Sequence, residues 1–288
     1  MQFLYLVGDG MGDWPLDELD GKTPLAAAHT PNMDALTAGG MVGRCRTVPR
    51  SMPPGSDVAN MALMGFDPET HHTGRGPIEA AAQGLRLAPD DLVWRMNLVN
   101  VEDFGGASIM RDYSAGHITT EEACPLIAGL QDRLGREPFT FYPGVQYRHL
   151  LVQRDGARAP EADLDITPPH DSTDKPVTED LAEYAKSERL HQLLVGAHEL
   201  LSTPDNATRA NSIWPWGQGR PLHLPEFRET FGRIGAVISA VDLIKGLGRA
   251  CGMKVIDVEG ATGLLDTNYE GKVEAALDFL DGKGDFVF

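Results

Sequence analysis

The chain opens with a short apolar strand that runs directly into a glycine-rich turn. Residues 3 to 7 are all apolar, and residues 8 to 12 read Gly-Asp-Gly-Met-Gly. Such a run is typical of a central strand of a parallel sheet, which is covered on both faces. A helix follows, with Thr30 as its N-cap, Pro31 at its first position and Gly39-Gly40 at its end. This order predicts an α/β fold with a mainly parallel sheet flanked by helices.

The same α/β pattern returns near the end of the chain. An apolar segment at 236–238 and a helix at 241–248 precede a strand at 254–258 and a helix at 272–280. The last four residues, 285–288, have the aromatic and β-branched character of a buried strand that has just begun. Because nothing follows to complete that strand, we expect the 288 residues to be part of a longer polypeptide.

The middle of the chain has a different pattern. Strand-like segments and one helix follow one another closely between 87 and 153, which predicts a small α+β cap domain inserted into the larger domain. The expected division is therefore a phosphatase-like core of residues 1–86 and 177–288, incomplete at its C-terminus, with an inserted α+β cap at 87–176. The leucine pattern at 190–201 predicts a helix with one buried face.

Charge and composition exclude several kinds of protein. A formal net charge of −17 opposes binding to nucleic acid, because a phosphate backbone is held mainly by Lys and Arg. No segment has the pattern of a signal peptide or a membrane span, so we expect a cytoplasmic protein without a membrane partner. The three cysteines are widely spaced, which argues against a disulfide framework or a thiolate zinc site.

Two residues are the first candidates for chemistry. Asp9 directly follows the first strand, at the carboxyl end where open parallel sheets place their sites, and its carboxylate suits a hard cation. Ser56 follows a Pro-Pro-Gly turn and stands at the start of a predicted helix, where free N–H groups and the helix dipole favour an anion. From the residues alone, Asp9 as a turn cap and Ser56 as an ordinary N-cap remain open.

Several motifs occur together and in order along the chain. They read "VGDGMGDWP", "KTPLAAAHTPNMDAL", "PPGSDVANMALMGFDP", "HHTGRGPIEAA", "DYSAGHITTEEA", "ISAVDLIKGLGRACGM" and "DVEGATGLLDTNYEGKVEAAL". Together they resemble the cofactor-independent phosphoglycerate mutases, specifically the archaeal-type branch of the alkaline phosphatase superfamily. The segment around Ser56, combined with "TGRGP" and "GATGLLDTNY", is specific to the mutase branch. The resemblance covers essentially the whole chain.

The resemblance implies a function and a set of roles. It implies an isomerase of glycolysis that interconverts 3-phosphoglycerate and 2-phosphoglycerate, with Ser56 as nucleophile and a phosphoserine intermediate. It also implies two divalent metal ions, Mn, Mg, Zn or Co, with Asp9 and Ser56 among their ligands. The inserted module would close over the glycerate and keep water from the phosphoserine. The only partner it implies is a small-molecule substrate, and it leaves the oligomeric state open.

Arginine and lysine residues are candidates for holding the substrate. A guanidinium group binds carboxylate and phosphate in a bidentate manner. The candidates are Arg111 on the cap, Arg75 near the domain junction and Lys245 on the core. For each of them a structural or solvated role remains open, and His72 and His117 are weaker candidates still.

Relatives of this type carry further Asp and His metal ligands in a segment that would follow residue 288. We therefore expect these 288 residues to hold only part of the two-metal site. Two alternatives to the mutase stay open. One is a related metal-dependent phosphatase or phosphonate-processing enzyme, in which water accepts the phosphate. The other is a metal-free, non-catalytic binding protein, which a true C-terminus at Phe288 would favour.

Overall fold

The computed structural model describes residues 1–288, which form two units, each built on its own sheet. The strands are β1 (Phe3–Leu4), β2 (Leu92–Glu102), β3 (Ile109–Asp112), β4 (Phe139–Tyr142), β5 (Arg148–Gln153), β6 (Ser212–Gly219), β7 (Gly235–Val237), β8 (Lys254–Val255) and β9 (Phe286–Val287). The helices are α1 (Pro24–Ala27), α2 (Pro31–Gly39), α3 (Ser56–Leu63), α4 (Pro68–His71), α5 (Arg75–Gln83), α6 (Thr120–Leu134), α7 (Thr178–Tyr184), α8 (Glu188–Leu201), α9 (Phe227–Phe231), α10 (Asp242–Ala250) and α11 (Tyr269–Asp281). Four short 3₁₀ helices lie at Asp17–Leu19, Gly156–Arg158, Pro160–Asp163 and Pro169–Asp171.

The first sheet is parallel and has the strand order β1-β9-β7-β8. The segment that the sequence marked as a strand at 285–288 lies inside this sheet, where β9 pairs with β1 on one side and β7 on the other. Such a strand is covered on both faces and pairs along both edges, which explains its uniformly apolar character. The expected α/β fold with a mainly parallel sheet is confirmed.

The second sheet is antiparallel and is organised around the long strand β2. Strand β5 pairs with one edge of β2 and β6 with the other, while β4 extends the sheet beyond β5. Strand β3 pairs with the last residues of β2 after a register shift at Asn100/Val101. Every residue of β2 from Leu92 to Val99 is buried. A strand buried on both faces needs covering layers, and helices supply them on each side.

The second unit extends further along the chain than its predicted end at residue 176. Strand β6 pairs with β2 from Ser212 to Gly219, and α8 packs its leucines into the same core as Trp94 and Met96. The return to the parallel unit therefore comes after residue 219 and not at 177. The physical reason is that a buried strand must be paired along both edges, and the free edge of β2 is filled by a strand from later in the chain.

The larger hydrophobic core belongs to the antiparallel unit. It contains 28 buried residues, against 12 in the core of the parallel unit. Helices α6 and α8 supply Ile127, Leu130, Leu190 and Leu194 to the larger core. The antiparallel unit therefore gains more from apolar burial, since that stabilisation grows with the apolar area removed from water.

Local sequence signals place several helix ends. Thr119 and Glu122 form a capping box in which each side chain accepts a hydrogen bond from the other's backbone N–H, and α6 begins at the next residue after Thr119. Helix α2 begins at Pro31 after Thr30, as predicted, and Gly40 follows its last residue. None of the helices combines the length and the apolar character needed to cross a bilayer.

Helix α5 lies between the two units and touches both through small residues. A Cβ on Gly76 would lie 2.6 Å from the backbone nitrogen of Arg95 and 2.6 Å from the carbonyl oxygen of Val93. On another face of α5, the carbonyl of Ile78 would meet a Cβ placed on Gly246 of α10. Two glycines therefore allow one helix to approach a sheet and a second helix at backbone distance.

We predict that Gly76→Ala destabilises the protein, whereas Gly129→Ala stabilises it. The methyl group at residue 76 would have to displace the backbone of β2, at a cost of about 1–3 kcal/mol. Gly129 lies exposed inside α6 with open space around it, so alanine there should add up to about 1 kcal/mol. Urea unfolding followed by the fluorescence of buried Trp94 and Trp214 measures both changes. A Gly76→Ala protein as stable as wild type would contradict the close approach.

Candidate functional site

Ser56 stands at the exposed start of helix α3. The Pro-Pro-Gly turn before it leaves Gly55 as an N-cap without a side-chain hydrogen bond, so the first N–H groups of the helix receive no cap from that residue. Val58 and Met61 are buried and fix the helix against the core. The Asn60 side chain donates a hydrogen bond of 2.8 Å to the Ser56 carbonyl. The serine is thus an exposed residue on a packed helix, which is compatible with the predicted role of nucleophile.

A hydrogen-bonded aspartate and histidine lie directly beside Ser56. Asp57 Oδ2 and His72 Nε2 are 2.9 Å apart, and both side chains are mostly buried. Burial alone would raise the pKa of the Asp57 carboxyl, but the hydrogen bond and charge of His72, with a smaller effect of Arg75, lower the pKa below 3.8. His72 was only a weak candidate from the sequence. The structure makes it the partner of Asp57 and thereby a support for the start of α3.

Asp9 and Lys245 lie near the carboxyl edge of the parallel sheet. Asp9 lies exposed in the loop after β1, and Lys245 on α10 forms a 2.6 Å ion pair with Asp257, two residues after β8. The hydrogen bond and charge of Lys245 lower the pKa of the Asp257 carboxyl. Parallel strands end at the same edge of a sheet, so Asp9 after β1 and Asp257 after β8 lie at one edge, and the ion pair holds Lys245 beside Asp257. Strand β1 ends at Leu4, so Asp9 lies five residues beyond it and not directly after the strand as predicted, and its role as a metal ligand stays a prediction.

Metal ligands are sparse among the described residues. No group of three or more His, Cys, Asp or Glu side chains lies together in a way that could hold a metal ion. Asp9 and Ser56 offer oxygen atoms of the right chemical kind, but two ligands do not make the metal centre that the resemblance implies. The residues present thus do not fit a complete metal site.

Arg111 is an exposed residue of strand β3 and is already paired. Its guanidinium group contacts Glu102 and lies 3.0 Å from Asp174. The hydrogen bond to Glu102, followed by that to Asp174, raises the pKa of Arg111. An incoming anion would have to compete with these two carboxylates. Nearby, His117 occupies a turn with a φ of 55° and donates its backbone N–H to Ser114, which is a structural role.

Arg75 lies where the two units meet, together with residues that the sequence did not single out. Glu79, one turn further along α5, accepts from Arg75 Nε at 3.3 Å and also contacts Arg95 of β2. Arg95 is buried, and burial lowers its pKa against the opposing effect of Glu79. One signal could have identified Arg95: it is the only charged residue inside the buried run of β2, and buried charges gather at functional sites.

Fold and site together define a class of protein. A helix-flanked parallel sheet carries a second, antiparallel unit, and charged side chains gather at the junction of the two. Such a junction is a usual place for a small-molecule site in an α/β protein.

Comparison with known proteins identifies the family. A family model described as 2,3-bisphosphoglycerate-independent phosphoglycerate mutase matches residues 37–206. A protein of Geobacter sulfurreducens named a probable 2,3-bisphosphoglycerate-independent phosphoglycerate mutase is 47% identical, over 100% of this chain and 73% of that protein. The enzyme of that name from Methanosarcina barkeri is 47% identical, over 100% of this chain and 72% of its own length. The chain therefore belongs to the 2,3-bisphosphoglycerate-independent phosphoglycerate mutase family.

Solved structures agree with this assignment. The PH0037 protein of Pyrococcus horikoshii matches with a TM-score of 0.73 and 29% identity, over 97% of this chain and 67% of that one. The cofactor-independent phosphoglycerate mutase of Thermoplasma acidophilum matches with a TM-score of 0.58 and 27% identity, over 100% of this chain and 76% of that one. The resemblance inferred from the motifs is confirmed.

We predict that Asp57→Asn destabilises the protein by about 1–3 kcal/mol at pH 7, because it removes a charge-assisted hydrogen bond. The folded-state pKa of Asp57 lies below 3.8, so its contribution is fully present above that value and is lost as the pH falls through the folded-state pKa. The difference from wild type in urea unfolding should therefore shrink below about pH 4. The matched control Asp90→Asn, at an exposed and distant pair with Arg158, should change little. A deficit independent of pH would contradict this account.

Proposed function

We propose that this protein interconverts 3-phosphoglycerate and 2-phosphoglycerate through a phosphoserine at Ser56. The observation that carries the proposal is the family membership, at 47% identity over the whole chain. The exposed position of Ser56 at the start of a packed helix supports its part in the reaction. As an isomerase of glycolysis it would act on a small molecule, in the cytoplasm.

The proposed reaction moves one phosphoryl group from O3 to O2 of the glycerate by way of Ser56. The Ser56 hydroxyl oxygen bonds to the phosphorus of 3-phosphoglycerate as the bond from phosphorus to O3 breaks, and the proton lost by serine balances the one gained by O3. The glycerate turns without leaving, and its O2 then bonds to phosphorus as the phosphoserine bond breaks, with the proton lost by the O2 hydroxyl balancing the one regained by the Ser56 oxygen. The N–H groups at the start of α3 and the helix dipole favour the negative charge on the transferring group.

Substrate contacts are proposed for Arg75, Arg111 and Lys245. The Arg75 side chain is 30% exposed and carries guanidinium donors beyond the one that Glu79 accepts, which supports a direct contact. Arg111 and Lys245 are paired with carboxylates, so each would exchange a protein partner for a substrate oxyanion. The antiparallel unit would cover the bound glycerate and limit the access of water to the phosphoserine.

Dependence on divalent metal ions is a further part of the proposal. Asp9 and Ser56 would contribute oxygen ligands to one of two ions, with Mn, Mg, Zn and Co all compatible with such ligands. A bound cation would supply Lewis acidity toward the serine hydroxyl and the phosphoryl oxygens. Adding and removing metal tests this part independently of the role of Ser56.

We predict that Ser56→Ala abolishes mutase turnover while the protein stays folded, because the acceptor oxygen is lost. The matched control Ser51→Ala, in the preceding loop, should keep turnover near wild type. The measurement is the conversion of 3-phosphoglycerate to 2-phosphoglycerate with added Mn²⁺, with circular dichroism to check the fold. Normal turnover by Ser56→Ala would remove Ser56 as the nucleophile.

We predict that a chelator stops turnover and that added Mn²⁺ restores it. The reason is that a serine hydroxyl is a weak nucleophile at neutral pH without an activating base or cation. The assay compares initial rates in the apo, chelated and metal-restored protein, with dialysis against metal-free buffer as a second route to the apo form. Turnover that is indifferent to both treatments would contradict metal dependence and leave the phosphoserine step untouched.

A further inference from the structure

The carboxylate of Asp57 folds back over the start of the helix that carries Ser56. A Cβ placed on Gly55, the N-cap of α3, would lie 2.4 Å from Asp57 Oδ1. Glycine therefore leaves room for this carboxylate beside the first turn. A negative charge is favourable for the helix itself at this end, because the free N–H groups and the dipole attract it. The same charge repels a second anion that arrives at Ser56.

His72 reaches this carboxylate from a different part of the chain. Helix α4 ends at His71, and the backbone N–H of His72 donates to the Pro68 carbonyl at 3.0 Å, so the last turn of α4 holds the residue in place. Its Nε2 lies 2.9 Å from Asp57 Oδ2. An aspartate is ionised at neutral pH and can only accept, so Nε2 carries the hydrogen and is the donor. The hydrogen bond offsets part of the negative charge that Asp57 presents beside Ser56.

Solvent has little access to this hydrogen-bonded pair. The side chains of His72 and Asp57 are 17% and 13% exposed, whereas Ser56 is an exposed residue. Water and salt therefore screen the charge of Asp57 weakly. A protein group has to offset that charge where an anion approaches Ser56, and His72 is placed to do so.

We infer that His72 is a positioning residue for phosphoryl transfer at Ser56, because it holds the Asp57 carboxylate and offsets its charge beside the serine. His72 acts through Asp57 and not through a contact with the transferred group. When this hydrogen bond is lost, repulsion between like charges in a weakly screened place opposes the transfer. This inference rests on the proposed function, because that function places the phosphoryl group on Ser56.

The test is a double-mutant cycle in the 288-residue chain, assayed by the conversion of 3-phosphoglycerate with added Mn²⁺. We expect His72→Ala to lower kcat/KM by about 10- to 100-fold, because it leaves the Asp57 carboxylate without its donor. Adding Asp57→Asn to His72→Ala should restore kcat/KM to within about fivefold of wild type, because the uncompensated charge is then gone. His72→Gln, whose amide can donate from nearly the position of Nε2, should lose less than His72→Ala. The matched control is His191→Ala, at an exposed residue of α8.

A purely structural role of the pair gives a different pattern. If His72 and Asp57 only held the start of α3 in place, the double variant would lack the same contact as His72→Ala and would be equally slow. Circular dichroism and urea unfolding define conditions under which every variant is fully folded, and the rates are compared there. If His72→Ala does not fold, the cycle is run with His72→Asn, whose amide fills more of the space but ends short of Asp57.

Binding of inorganic phosphate decides the inference if wild type shows no turnover. Calorimetric titration in metal-free buffer should then show weaker phosphate binding by His72→Ala than by wild type, and recovery in the double variant. That result removes the mutase function and leaves the charge-offsetting role of His72 standing. Phosphate affinities that are equal in all variants, or no saturable binding up to about 10 mM, overturn the role as well.

Turnover by wild type makes the rates decisive. The inference is then overturned by a folded His72→Ala with the kcat/KM of wild type, or by a double variant as slow as His72→Ala. Neither result touches the proposed function, which the loss of turnover in Ser56→Ala tests separately.

Discussion

The packing of helix α5 against β2 on one side and α10 on the other is the constraint on which the rest of the molecule depends. Gly76 lets α5 approach the backbone of β2, and Gly246 of α10 lets the same helix approach the parallel unit. Ala80 packs with residues of β2 and β5, while Ile78 packs with leucines of α10. Because each approach is at backbone distance, neither unit can shift relative to α5 without a steric clash or a void.

The same helix also carries the charges of the junction. Arg75 and Glu79 lie one turn apart, so they share a third face of α5. Arg95 joins them from the strand against which Gly76 packs, which links the position of the charges to the packing of the backbone. A larger residue at position 76 would therefore change the geometry of both guanidinium groups.

Helices and strands with a local sequence signal could be predicted from the sequence. Those whose position depends on tertiary pairing with another part of the chain could not. The capping box at Thr119 places α6, and the apolar pattern of α8 places its buried face. Strand β6 has no such signal, because Pro215 lies inside it and three of its eight residues are Gly or Gln. A proline is accepted there because β6 pairs only with β2, so the backbone of Pro215 lies at a sheet edge. The end of the second unit was misplaced for that reason.

The residues of the candidate site also differ in whether a local sequence signal identifies them. Ser56 and Asp9 follow from the physics of a helix start and a strand end, which are local properties. The group around Arg95 depends on which strand lies beside α5, a tertiary fact that no sequence window contains. Burying the guanidinium of Arg95 is costly, because it requires a charged partner and further hydrogen bonds. Well-packed apolar residues of similar size are often at least as stable, so a function explains the buried Arg95 better than stability does. Glu79 and Asn97 meet that requirement, and the stability of the fold alone does not call for them.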